Sequence, residues 1–178
     1  MSTQAIGSAI AGTAVVGGGG TLAAYAAGAF DPSKPTLKEA TFEDYAKHKS
    51  LKYLGETNKV PGIAPDSAKI KSRLDDSTNG QVYRASFNKH WDNMKDADVT
   101  VTPKKTRPSD LKTSLFPTSG SGSKDQEVSN WTADWCKSIG VKKVLIKKVE
   151  NGKESWKDDL DEDSSWKAFK DICLAGNA

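Results

Sequence analysis

The sequence predicts a mainly α-helical fold, in which an N-terminal hydrophobic helix precedes a small helical body with room for one β-hairpin. Three observations lead to this prediction. Residues 1–30 carry no charged side chain, apolar residues recur every three or four positions further on, and Asn151-Gly152 follows a run rich in β-branched residues at 141–149. Apolar residues at helical spacing line one helix face, whereas an Asn-Gly pair is typical of a tight hairpin turn.

The uncharged leader is long enough to cross a bilayer. A helix rises about 1.5 Å per residue, so residues 5–30 can span a hydrocarbon core about 30 Å thick. The strongly apolar residues contribute only about −3 kcal/mol to insertion. They are Ile6, Ile10, Val15, Val16, Leu22 and Phe30. The absence of charge favours a single-pass anchor, because one central Lys would cost about as much as these residues supply.

Two other interpretations of the leader stay open. A secretory signal would be cleaved at Ala27-Gly28-Ala29 or Ala24-Tyr25-Ala26, although no basic residue precedes Lys34. A structureless Ala/Gly-rich tail is the other, since the hydrophobicity is low. For the anchor, Lys34 and Lys38 would place the body inside by the positive-inside rule. A short uncharged N-terminus ahead of a long body favours export instead, so we expect a single-pass cell-membrane protein with an extracellular body.

The 178 residues divide by composition into a leader, a hinge and a two-part body. The segments are residues 1–30, the membrane anchor or signal; 31–40, a Pro-containing hinge; 41–117, the helical first half of the body; 118–124, a Gly/Ser linker; and 125–178, a Trp-rich second half with a helix, a hairpin and a helix. The net charge of +3 is too small to indicate nucleic acid binding.

The body contains several helix signals. Thr41 and Asp44 are typical of a capping box, and the helix that they begin is expected to reach Leu54 and end at Gly55. Other helices are predicted over 67–74, 81–97, 111–116 and 124–139, and a last one begins at Ser164 or Ser165. The hairpin strands are predicted over 141–149 and 153–156, and a helix is the alternative because the alternation of apolar and polar residues is imperfect.

Two of these helices carry an apolar stripe. The stripes are Tyr83, Phe87, Trp91 and Met94 in one helix, with Arg84 on its polar side, and Val128, Trp131, Trp135 and Ile139 in the other, which Gly140 would end. Residues at this spacing share one helix face. The chain has five Trp, and Trp131, Trp135, Trp156 and Trp166 all lie in its last third. We expect them to form an aromatic core; an aromatic contact surface is the alternative.

The two cysteines of the body could form a disulfide bond with each other. Cys136 and Cys173 would form one disulfide in an exported protein, worth about 4 kcal/mol, or stay as two buried thiols. They lie too far apart in sequence to form a zinc site with His48 and His90, which we expect on helix surfaces.

The remaining motifs do not indicate a chemical function. The acidic run at 158–163 fails the calcium-loop pattern, because Ser164 takes the Gly position and Lys170 the bidentate Glu position. The basic loop at 104–108 could contact phosphates, although a solvated surface is the simpler interpretation. We predict no catalytic residue, cofactor or metal, and therefore a protein that is not an enzyme.

Several short segments resemble one group of proteins. They are AIAGTAVVGGGG in the leader, Lys71 to Leu74, Asn88 to Trp91, Trp135-Cys136 and the late Cys173. Together they look like the large paralogous families of uncharacterised proteins in hemotrophic mycoplasmas, wall-less parasites of red blood cells. The resemblance implies a membrane-associated or surface-displayed protein with an antigenic or host-interaction role, and it carries no catalytic or binding residues.

We therefore expect a non-catalytic surface protein that is held in the membrane by residues 1–30 and has an unidentified host or surface protein as its partner. One alternative is a secreted soluble protein released after Ala29. The other is an enzyme of unrecognised type.

Overall fold

The computed structural model describes residues 36–60, 62–150, 153–156 and 160–175. The described residues belong to one compact unit, which the chain forms over residues 35–178. The leader and residues 31–35 of the hinge lie outside the described part, and the Gly/Ser linker lies within this unit.

The body is mainly helical, as predicted. Its elements in order are β1 (Thr36–Thr41), α1 (Phe42–His48), β2 (Lys52–Tyr53), α2 (Ser67–Leu74), α3 (Gly80–His90), α4 (Lys112–Leu115), α5 (Asp125–Val141), β3 (Lys143–Glu150), β4 (Lys153–Trp156), α6 (Ser164–Cys173) and β5 (Leu174–Ala175), with 3₁₀ turns at Trp91–Asn93, Asp96–Asp98 and Leu160–Glu162. Within the described residues, every helix is too short or too polar to cross a membrane.

The predicted hairpin is present as β3 and β4, and β1 adds a strand that the sequence did not predict. The antiparallel order is β1-β3-β4, with β3 in the centre. β1 takes residues 36–40 of the predicted hinge into this sheet. A second small sheet pairs β2 with β5 and so fixes the C-terminal end of the described chain against the first half of the body.

Helix α1 starts as predicted but ends early. The Thr41 hydroxyl accepts the Asp44 N–H at 3.1 Å, and the Asp44 carboxylate accepts the Thr41 N–H at 2.9 Å, which completes the capping box. The prediction that this helix reaches Leu54 is wrong. Ser50 adopts a left-handed φ of 58°, and Leu51 N–H donates back to the Ala46 carbonyl at 2.9 Å. This turn frees Tyr53 for strand β2, where it is fully buried.

The predicted stripe of α3 is buried, although the helix is shorter than expected. Tyr83, Phe87, Trp91 and Met94 are all buried, but α3 stops at His90 and continues as a 3₁₀ turn. The rings pack as a series, with centroids 5.0 Å apart between Tyr83 and Phe87 and 6.2 Å apart between Phe87 and Trp91.

Helix α5 is the central helix of the core. Val128, Trp131, Trp135 and Ile139 are buried, as the stripe predicts. Gly140 does not end this helix. A Cβ at that position would lie 2.7 Å from Tyr53 Oη, so a glycine lets the helix approach the Tyr53 ring closely.

Helix α6 packs its apolar face into the same core. Trp166 and Phe169 are fully buried, and their rings lie 5.6 and 5.7 Å from the Phe42 ring. Its N-cap is Asp163 rather than Ser164 or Ser165, because the Asp163 carboxylate accepts the N–H groups of Ser165 and Trp166 at 2.9 and 2.8 Å. Three of the late tryptophans are therefore core residues, as expected, and Trp156 is only half-buried.

Candidate functional site

The structure brings Cys136 and Cys173 together in a disulfide between α5 and α6. The two Cα atoms are 5.7 Å apart and the two sulfur atoms are bonded at 1.96 Å. Both residues are fully buried, so solvent does not reach the sulfurs in the folded protein. Of the two sequence alternatives, bridge or free thiols, the structure contains the bridge. It closes a loop with a sequence separation of 37 that holds the hairpin and the acidic run.

His90 is not the surface residue that the sequence predicted. It is 2% exposed, and its Nε2 lies 2.9 Å from the Asp171 carboxylate on α6. It lies on the buried face of α3 because Phe87 precedes it by three residues and α6 packs against that face. His48 is exposed at the end of α1, as predicted. The two histidines therefore lie on different elements, and the buried one links helices.

The prediction that Arg84 lies on the solvent side of its helix is also wrong. Its guanidinium donates to both carboxylate oxygens of Asp125, at 2.6 and 2.5 Å, and the pair is almost fully buried. A buried charge needs such a partner, because desolvation of an unpaired guanidinium is very costly. The pair ties α3 to the first turn of α5, and no local signal in the sequence joins these two residues.

The basic loop at 104–108 is partly used in packing. Arg107 lies over two core indoles, with its guanidinium carbon 4.3 Å from the Trp91 ring and 5.2 Å from the Trp131 ring. It also donates to the Trp91 carbonyl at 2.8 Å. Burial lowers the pKa of Arg107, and the nearby Asp92 and Asp96 oppose that shift. The expectation of a fully solvated loop is thus wrong for Arg107, whereas Lys104 and Lys105 are exposed.

An open groove of about 750 Å³ lies along α2. It is lined mostly by hydroxyl and carboxylate groups of α2 and the following turn, together with one lysine, one alanine and one glutamine: Ser67, Ala68, Lys71, Ser72, Asp75, Asp76, Ser77, Thr78 and Gln126. Asp76 accepts the N–H groups of Thr78 and Asn79, at 2.9 and 2.6 Å, and these bonds lower the pKa of its carboxyl group. The lining holds no imidazole, which is the side chain most often used for proton transfer in catalysis.

A second surface combines aromatic rings with cations. Trp156 on β4 packs at 4.9 Å against Tyr45 and at 5.8 Å against His48, between ring centroids. Lys147 Nζ lies 4.5 Å from the centre of the Trp156 ring, and Lys49 Nζ lies 5.1 Å from that of Tyr45. We name these five residues the Trp156 surface. The sequence offered an aromatic contact surface only as an alternative, and it did not predict the contacts of Trp156 with α1, which form where the early end of α1 meets the hairpin.

The sequence predicted no metal site anywhere in the chain, and the structure bears on this only over the residues that it describes. No group of three or more His, Cys, Asp or Glu in the described residues is arranged to hold a metal ion. Asp161 and Asp163 of the acidic run are described, and they bind Lys49 and cap α6 respectively.

Comparison of the chain with protein-family models, with curated proteins and with solved structures gave no match. The fold and the contacts described above are therefore the basis for a functional interpretation.

Proposed function

We propose that this protein is a single-pass membrane protein whose body faces out of the cell and acts in recognition without catalysis. The observation that carries the proposal is the buried Cys136–Cys173 disulfide. Disulfides form and persist in oxidising compartments and are rare in the cytosol. A bridged body therefore fits export, which the uncharged leader would provide.

The chemistry of the described surfaces supports recognition over catalysis. The α2 groove presents hydroxyl and carboxylate groups, and the buried His90 is engaged by Asp171 between two helices. The Trp156 surface offers Trp and Tyr rings, which are residue types enriched at protein interfaces. The resemblance to the surface protein families of hemotrophic mycoplasmas agrees with this proposal.

The anchor is tested by placing one charge in the leader. Val15→Lys adds about 3 kcal/mol against insertion, which is comparable to the whole favourable sum. We expect the wild-type protein to resist alkaline carbonate extraction and Val15→Lys to become extractable. Ser33→Lys, which lies beyond the span, is the matched control and should remain in the membrane. An extractable wild-type protein, or a retained Val15→Lys, would contradict the anchor.

Cleavage and catalysis have separate tests. A mature N-terminus at Phe30, found by N-terminal sequencing, would replace the anchor with a secreted protein. A substrate turned over by the purified chain, and lost in a variant of a groove residue such as Asp76→Ala, would replace recognition with catalysis.

A further inference from the structure

We propose that the loop of residues 99–111 carries a proteolytic modification site. A trypsin-like serine endoprotease would cut the folded body there, between Lys105 and Thr106, and would leave two chains that stay assembled. This inference goes beyond the proposed function, and it rests on that function only for the body's meeting such a protease outside the cell.

The loop of residues 99–111 offers an exposed stretch of irregular backbone. It connects the 3₁₀ turn Asp96–Asp98 to helix α4, and none of its residues lies in a helix or strand. Residues 102–106 in its middle are all exposed. A protease must draw the substrate backbone into an extended conformation, which helices and strands resist because their N–H and C=O groups are already paired. Exposed loops of this kind are therefore the preferred places for a first cut in a folded protein.

The three basic side chains in the loop differ in whether a protease can reach them. A trypsin-like enzyme draws a lysine or arginine side chain into an acidic pocket before it cuts the bond that follows. Arg107 is stacked on two indoles, and it precedes a proline, which blocks the cut. Lys104 is paired with Asp96 at 2.6 Å. Lys105 is exposed, and its ammonium group has no partner among the described residues, so the bond from Lys105 to Thr106 follows the most accessible side chain.

The segment around this bond is fastened to the body mainly at its ends. Thr100 N–H donates to the Ser138 hydroxyl at 3.0 Å on one side, and the stacked arginine lies on the core indoles on the other. Between these ends, the polar contacts with other described segments are the Lys104 ion pair and a hydrogen bond of 2.9 Å from Lys105 N–H to the Asp134 carboxylate. Both contacts are exposed and contribute little to stability. The segment can therefore leave the surface while the rest of the body stays folded.

The cut adds water across the amide between Lys105 and Thr106. The lysine gains a carboxylate, the threonine gains an ammonium group, and nothing is oxidised or reduced. Both cysteines of the disulfide lie after this bond, so the disulfide does not join the two products. The strand pairs β1–β3 and β2–β5 and the buried Arg84–Asp125 ion pair all connect one product with the other. We expect these contacts to keep the two chains together.

The test is limited trypsin digestion of the purified full chain in a neutral detergent, followed by intact-mass spectrometry. We expect the first cut within residues 41–178 to fall after Lys105 and to give one pair of fragments. Lys105→Gln should slow cleavage at this bond by about a hundredfold or more, since glutamine carries no charge for the acidic pocket. Lys137→Gln, exposed on α5, is the matched control and should leave the rate unchanged. The cut protein should elute as one species from a size-exclusion column and separate into two bands in non-reducing SDS electrophoresis.

Four outcomes would overturn the proposal: a first cut elsewhere within residues 41–178, an unchanged rate in Lys105→Gln, separation of the fragments on the native column, or no cut at an enzyme ratio that digests the urea-unfolded chain. Many fragments appearing at once would show that trypsin acts on unfolded chains, and would also overturn it. Failure of the anchor would appear in carbonate extraction and would leave this cleavage pattern unaltered.

Discussion

The double substitution Cys136→Ala/Cys173→Ala removes the covalent link between α5 and α6. The two residues are 37 apart in sequence, and the chain-entropy relation for a loop of that length gives about 4 kcal/mol. A domain of this size is stable by roughly 5–15 kcal/mol, so the loss is a large share of the total. We expect the variant to fold but to unfold at a much lower denaturant concentration.

The assay is urea unfolding of the full chain in a mild detergent, followed by tryptophan emission. Three fully buried tryptophans, Trp131, Trp135 and Trp166, make this signal sensitive to loss of the core. The wild-type protein in the presence and absence of a thiol reductant is the internal comparison. A variant whose free energy of unfolding lies within about 1 kcal/mol of the oxidised wild type, with an unchanged urea dependence, would show that the disulfide contributes little to stability.

Three further predictions follow from other contacts. Asp125→Ala leaves the buried Arg84 unpaired and should destabilise the protein by about 3–5 kcal/mol in the same urea assay; a loss below about 1 kcal/mol would contradict it. Gly140→Ala brings a methyl group to 2.7 Å from Tyr53 Oη and should destabilise the protein by about 1–3 kcal/mol through overpacking. Calorimetry should therefore give a lower melting temperature, whereas an unchanged melting temperature would show that the helix can move. Burial raises the pKa of Tyr83 above its unfolded value of about 10, so its contribution to stability is complete below that pH and is lost as the pH rises further. Alkaline unfolding should therefore be less steep in Tyr83→Phe, and an identical pH profile would be the contrary result.

Local signals account for what the sequence predicted correctly. The capping box at Thr41 and the spacing of Val128, Trp131, Trp135 and Ile139 depend on residues within a turn or two of each other. The hairpin strands follow from the β-branched residues of 141–149 and the Asn-Gly pair that comes after them. Such signals fix the type and start of an element, which explains why α2 matches its predicted range of Ser67–Leu74.

Contacts between distant segments account for the errors. Helix α1 stops at His48 because Tyr53 is buried in strand β2. That strand pairs with β5, which lies more than a hundred residues later in the sequence. His90 and Arg84 were placed on the surface because their carboxylate partners, Asp171 and Asp125, come from helices whose packing no local pattern reveals. The contacts that Trp156 makes with Tyr45 and His48 were not predicted for the same reason.

We propose that an uncharged leader holds a disulfide-bridged body outside the membrane, and protease treatment of intact cells that produce the full chain is the sharpest test. We expect the body to be digested while a cytosolic marker survives, and a leader fragment to stay in the carbonate-resistant membrane fraction. Recovery of the complete chain, with residues 1–30 intact, from the protease-protected soluble fraction would contradict this proposal.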